Sequence, residues 1–199
     1  MVIKMKLLDA VRNGYLDRTM KLYDAAFPEN ERKDWQLMLN KRREGVLTIE
    51  AIVSDDGDFL GEVVCLNARN ILLIDYLAVA PECRGMGVGT EVLKLLAAMY
   101  PEKKLILEIE STFTPAGNSV QRTRRKDFYL RAGMTPEPWL IKLFDVEMEI
   151  LTLGGSIGFD GFSPAYTVKN SEKTSYCLHK TCSVPLPTCQ SNCRLTSPI

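Results

Sequence analysis

The chain has 199 residues, 46% of them hydrophobic and 25% charged, with 25 Lys and Arg balancing 25 Asp and Glu. That is enough for one α/β domain with a full core. The zero formal charge points to neither a nucleic-acid partner nor a membrane surface. No apolar run approaches the roughly 18 to 20 residues needed to span a bilayer. Met1 to Asp9 alternates Lys with apolar residues and lacks the apolar core and cleavage site of a signal peptide, so a cytoplasmic location is expected. Val2 to Leu7 alternates as a first strand would. Leu16, Met20, Tyr23 and Phe27 recur at helical spacing, and Phe27-Pro28 closes that helix. Glu31 to Arg43 reads as a second helix with Trp35, Met38 and Leu39 on its apolar side. Val46 to Val53 and Phe59 to Leu66, joined by Ser54-Asp55-Asp56-Gly57-Asp58, form a predicted hairpin.

Ile71 to Val79 is a nearly continuous apolar run, which predicts a strand buried on both faces. Pro81 to Gly87 is a loop, and Val88, Val92, Leu95, Leu96 and Met99 mark a strongly amphipathic helix ended by Pro101. Leu105 to Ile109 is a strand. Val120 to Ala132 is a basic helix closed by Gly133, and Pro138 to Phe144 with Glu147 to Leu153 completes a last strand pair. Strands alternating with helices in the middle, flanked by hairpins, predict a mixed sheet with helices on both faces. Periodicity ends near Leu153. Residues 1–153 form the expected domain, and 154–199 an extension rich in Gly, then in Ser, Thr, Pro and Cys. Cys177, Cys182, Cys189 and Cys193 crowd near His179, which admits a zinc reading. The spacing C-x4-C-x6-C-x3-C lacks paired C-x2-C knuckles, so free thiols and no metal are the expectation.

The informative segment is the strand-loop-helix from Asp75 to Thr90. Gly85, Gly87 and Gly89 let backbone N–H groups approach a ligand closely. The helix start adds unpaired N–H groups and a positive dipole end. Together these predict a site for phosphate or pyrophosphate, with Arg84 adding a charge-assisted contact. No Lys follows the glycines as a nucleotide P-loop requires, and the G-x-G-x-G spacing is not that of a dinucleotide fold.

This segment resembles the cofactor motif of the GNAT superfamily of N-acetyltransferases: Arg or Gln, two residues, Gly, one residue, Gly or Ala. Here it is matched by Arg84, Gly85, Met86, Gly87, Val88 and Gly89. The preceding Leu77-Ala78-Val79-Ala80-Pro81 is similar to the family's fourth strand and its terminal bulge. Phe128-Tyr129-Leu130-Arg131-Ala132-Gly133-Met134 resembles its fourth-helix motif, and Ala26-Phe27-Pro28-Glu29-Asn30-Glu31-Arg32 a segment of small bacterial members. The resemblance covers roughly Met5 to Leu153. It implies an α/β GNAT fold, a mixed sheet splayed between its fourth and fifth strands with the cofactor in the gap. It also implies an acetyl-CoA-dependent N-acetyltransferase acting on a small-molecule or peptide amine, as a monomer or homodimer. The cofactor residues implied are Leu77, Ala78, Val79, Arg84 to Thr90 and Tyr129. Two alternatives stay open: an acyl-CoA-binding regulatory module without turnover, and a transferase for another acyl group. One departure is Arg122, where many members carry an Asn that holds the pantetheine arm. The basic helix face of Arg122, Arg124, Arg125 and Lys126 reads either as solvated or as a contact for the cofactor's phosphates.

Acetyl transfer sets three demands. An amine of pKa about 10.4 must lose a proton, the tetrahedral oxyanion needs a donor, and the thiolate needs an acid. The resemblance implies the N–H near Val79 as the oxyanion donor, freed by a bulge at Ala78 to Ala80. The resemblance also implies Tyr129 as the acid at the cofactor sulfur, since a phenol of pKa about 10 can donate to a developing thiolate. For the base the candidates are Asp75, Glu110 and Glu108. The last two lie two apart on one strand face. Glu31 and Trp35 are candidates for the acceptor pocket. The single histidine, His179, lies in the extension, which argues against a histidine base.

Overall fold

The computed structural model of the chain describes residues 4–143 and 146–158. The cysteine-rich segment, His179 and most of the proposed extension lie outside the described residues. The elements run β1 (Met5–Asp9), α1 (Leu16–Ala26), a 3-10 turn (Glu29–Glu31), α2 (Trp35–Arg43), β2 (Leu47–Ser54), β3 (Phe59–Asn67) and β4 (Ile71–Val79). A second 3-10 turn (Pro81–Cys83), α3 (Val88–Met99), β5 (Lys104–Glu110), α4 (Ser119–Arg131), β6 (Thr135–Leu143) and β7 (Val146–Leu153) follow. The seven strands form one mixed sheet in the order β1-β2-β3-β4-β5-β7-β6, with β4 and β5 the parallel pair. Among the described residues no helix is long and apolar enough to cross a membrane.

The sheet separates two apolar layers. On one face Val88, Val92, Leu93 and Leu96 of α3 pack on Ile52, Val63, Leu72, Leu105 and Leu107, with Tyr129 of α4 and the following Ala132 against the same core. On the other face Tyr23 of α1 and Met38 of α2 cover Ile49, Ala51, Val53, Val64 and Tyr76. The amphipathic spacing read in α1 and α3 is what buries these faces.

α2 and β6 begin elsewhere than their periodicity suggests. α2 starts at Trp35 rather than Glu31, because the Asp34 side chain accepts from the Leu37 N–H at 2.9 Å and caps the helix there. β6 starts at Thr135, ahead of the expected Pro138. It is an edge strand with a register irregularity between Pro136 and Leu140, and an edge tolerates a residue that cannot donate to the ladder.

Candidate active site

The site is built where β4 leaves β5. The two strands pair only over Ile71–Leu73 and Lys104–Ile106, and beyond that they diverge. On its other side β4 stays paired to β3, from Val64↔Tyr76 to Gly61↔Val79, and the Ala80 N–H donates to the Leu60 carbonyl at 2.9 Å. Backbone groups alternate sides along a strand, so Tyr76, Ala78 and Ala80 point theirs at β3. Leu77 and Val79 therefore point theirs into the opening beside β5. Gly61 permits the close approach: a Cβ there would lie 2.3 Å from the Ala78 carbonyl oxygen.

The expected bulge at Ala78 to Ala80 is a correction. The register slips between Val64 and Cys65 of β3, which leaves Asp75 of β4 as the extra residue. The Val79 backbone is freed by the splay instead. Its carbonyl accepts from Arg84 Nε at 3.2 Å, so Arg84 folds back over the strand end.

Next to this edge, Gly85 and Gly87 hold φ of 77° and 84°, in the left-handed region that favours glycine. Gly87 stands at the N-cap of α3 with no side-chain cap. The first helical bond runs from the Glu91 N–H to the Gly87 carbonyl at 3.1 Å, which leaves the amides of Val88, Gly89 and Thr90 without helical partners. A Cβ at Gly85 or Gly87 would meet no atom within 4 Å, so space lies open before the loop. Val79, Cys83, Arg84, Gly87, Thr90 and Phe128 are among the residues lining a cleft of about 290 Å³ here. Gly89 serves packing: a Cβ there would lie 2.8 Å from Phe128 Cζ, so α4 crosses α3 closely at that point.

Tyr129 packs beside Phe128, ring centroids 4.9 Å apart, against the core under α3. Burial pushes its hydroxyl above the usual phenol range, with Arg125 opposing, so it stays a proton donor. Much of the basic face of α4 is used structurally. Arg122 binds Glu110 at 2.6 Å and the Ser111 carbonyl at 3.2 Å, while Lys126 pairs with the buried Glu149. Arg125 lies 3.8 Å from Glu110, and Arg124 is exposed. The Arg122 position is thus tied to β5.

The carboxylates named from the sequence are engaged too. Glu110 also accepts from Asn118 Nδ2 at 3.1 Å, in addition to its two arginines. Asp75 is paired with Lys33, which lies 5.5 Å from the Tyr76 ring centroid. Glu108 stands opposite Ile150 on β7. Trp35 meets Tyr23 edge-on at 4.9 Å, and the Glu31 carbonyl accepts from the Tyr76 hydroxyl at 2.8 Å. These contacts set the segment between α1 and α2 over the layer of Tyr23 and Tyr76.

A further carboxylate, Glu62 on β3, is fully buried, and neither of its oxygens has a hydrogen-bond partner among the described residues. It stands directly across from Ala78 of β4 and Ala51 of β2, on the face covered by α1. Burial first, and then the charge of Asp24 on α1, raise its carboxyl to about 8.

The sequence matches the Acetyltransferase (GNAT) family over residues 11–134. This chain belongs to that family. Among solved structures it is similar to a protein of Bacteroides thetaiotaomicron assigned to the GNAT family, at 19% identity and a TM-score of 0.66, covering 83% of this chain and 96% of that one. It is also similar to spermidine N-acetyltransferase from Vibrio cholerae in complex with CoA and spermine, at 12% identity and a TM-score of 0.56, covering 76% and 95%. A GNAT-family protein of Desulfovibrio desulfuricans aligns at 19% identity and a TM-score of 0.55, covering 76% and 98%. At these identities the likeness is one of fold. No curated protein sequence matches the chain. Among the described residues no group of three or more His, Cys, Asp or Glu is placed to hold a metal ion.

The splayed mixed sheet is the GNAT fold that the sequence motifs imply. What the sequence missed in this GNAT chain is Glu62. It interrupts the apolar run Leu60 to Leu66 at a position paired on both sides by buried strands. An acidic residue inside a β-rich run that is predicted to be buried was the available signal.

Proposed function

We propose that the chain transfers the acetyl group of acetyl-CoA to a primary amine on a small molecule or peptide. The observation that carries this reading is the free edge of β4 at Leu77 and Val79, running directly into uncapped amides at the start of α3. The loop from Arg84 to Thr90 holds the pyrophosphate: backbone N–H groups and the helix dipole favour anionic oxygens there. The backbone of Leu77 offers strand-like partners to the pantetheine arm. The Val79 N–H then donates to the thioester oxygen, where negative charge develops as the amine attacks. As the C–N bond forms and the C–S bond breaks, the Tyr129 hydroxyl gives its proton to the departing sulfur. The amine as acceptor is favoured by family membership and by the CoA and spermine bound in one structural neighbour. Asp75 and Glu110 are committed to cations, and we assign neither of them the removal of the amine proton.

The test is the full-length chain with acetyl-CoA and a panel of polyamines, lysine peptides, peptide N-termini and aminoglycosides, read by release of free thiol. Turnover with at least one class is expected. A folded protein that neither binds acetyl-CoA in calorimetry nor releases thiol with any amine refutes the reading.

A further inference from the structure

The layer between α1 and the sheet holds several polar atoms with no hydrogen-bond partner among the described residues: both Glu62 oxygens, Thr19 Oγ1 and Trp35 Nε1. Buried polar groups are rarely left unsatisfied, and such groups call for an explanation. Here they lie on one face, because Thr19 and Tyr23 are among the buried residues of α1 and Trp35 packs on Tyr23. Glu62 is the only carboxylate in the set, and its cross-strand neighbour is Ala78. Residues directly opposed on adjacent strands have Cβ atoms about 4.5 to 5.5 Å apart. Ala78 immediately precedes Val79, whose N–H faces the gap beside β5.

We propose that Glu62 is the general base of this enzyme, taking the proton from the acceptor amine on the α1 side of β4 while Val79 holds the acetyl oxygen from the strand edge. The inference rests on the acetyl-transfer reading above. The protons balance within the site. The ammonium proton of the attacking amine goes to the Glu62 carboxylate through water, because the carboxyl itself is fully buried. The C–N bond replaces the C–S bond, and the thiolate takes the Tyr129 proton. Glu62 also suits the task chemically, because a carboxyl raised to about 8 has a conjugate base strong enough to accept from an amine near neutral pH. Asp75 and Glu110, by contrast, carry ion-pair partners.

After burial itself, the charge that raises Glu62 is Asp24 of α1. The other titratable groups on this face are Tyr23 of α1 and Asp75 and Tyr76 of β4. Lys33, between the two helices, is taken up by Asp75. β2 presents Ile49, Ala51 and Val53 on this face and nothing that titrates. Asp24 in turn is bound by Arg32 at 2.8 Å.

The experiment is kcat/KM against pH for the wild type and Glu62→Gln, with acetyl-CoA affinity measured in parallel. The wild type should show an acid limb near pH 8. Its midpoint should shift little with temperature, as for a carboxylic acid, whereas an amine's own titration shifts strongly. Glu62→Gln should lose roughly 100-fold or more at pH 7.5, lose that limb, and keep acetyl-CoA affinity within about threefold. A folded variant within threefold of the wild-type rate overturns the proposal. So does a wild-type limb with the temperature dependence of an amine, which needs no variant to fold. An inert wild type that fails to bind acetyl-CoA refutes the transfer reading itself, and the base with it. An active wild type with an indifferent Glu62→Gln refutes Glu62 alone.

Discussion

Glu62→Gln should stabilise the folded chain, and only above mildly acidic pH. The substitution keeps the shape of the side chain and removes its charge. In the wild type the buried carboxyl titrates at about 8 when folded, against 4.5 as its ordinary value. Between those values the folded state binds the proton that the unfolded state has lost, so unfolding becomes easier as pH rises. The stabilisation from the protonated form is fully present below about pH 4.5 and is lost as pH rises through about 8. At about 1.4 kcal/mol per pH unit, the gap gives an upper bound of about 5 kcal/mol, and local relaxation brings the expected effect to roughly 2 to 4 kcal/mol. For a chain of this size that is roughly 5 to 15 °C in Tm. The assay is thermal or urea unfolding of both proteins from pH 5 to 8.5, read as the difference between them. The difference cancels the contributions of other titrating groups, which both proteins share. It should be near zero at pH 5 and open progressively toward pH 8.5 in favour of the variant. A constant difference across the range would refute the placement of an unpaired, ionisable carboxyl at this position. A residue that destabilises the fold at working pH while serving the chemistry is the expected cost of a functional site.

Tyr129→Phe keeps the ring against the α3 core and deletes the donor. It should lower kcat by about 100- to 10,000-fold and leave the acetyl-CoA Kd within about threefold, measured by steady-state kinetics and calorimetry. An unchanged kcat would remove Tyr129 from the chemistry. Gly89→Ala places a Cβ 2.8 Å from Phe128 Cζ. Overpacking of this kind should cost about 1 to 3 kcal/mol by urea unfolding and weaken acetyl-CoA binding, because Phe128 and Gly89 also line the cleft. An unaltered urea midpoint would mean that α4 does not press on α3 there.

Most of the sheet was legible because its signals are local. The apolar run Ile71–Val79 is β4 to the residue, and the glycines at Gly85 and Gly87 sit where positive φ is needed. The start of α2 was misread because Trp35, Met38 and Leu39 mark a face and not a boundary. Asp34 sets that boundary through one side-chain bond. The bulge falls at Asp75, three residues before the expected Ala78, since register is a property of two strands and a single run does not show its partner. The pairing of α4 with Glu110 and Glu149 was hidden for the same reason: a run of basic residues does not show what faces it. Glu62 stood in plain view. Its meaning came from the strands on either side and from α1 above, which bury it and give it no partner.

The proposed transfer depends on the amides at the start of α3 as the cofactor's phosphate site. Calorimetric titration of acetyl-CoA into the wild type and Gly87→Val tests it most directly. The new side chain meets no protein atom within 4 Å at its Cβ, so it projects into the space assigned to the pyrophosphate. The left-handed φ of 84° at that residue will cost the variant about 1 to 2 kcal/mol in stability, and the titration is run well below its melting temperature. One-to-one binding to the wild type and a loss of about 100-fold or more in the folded variant are expected. A wild type that does not bind acetyl-CoA, or a folded variant with unchanged affinity, would contradict the site.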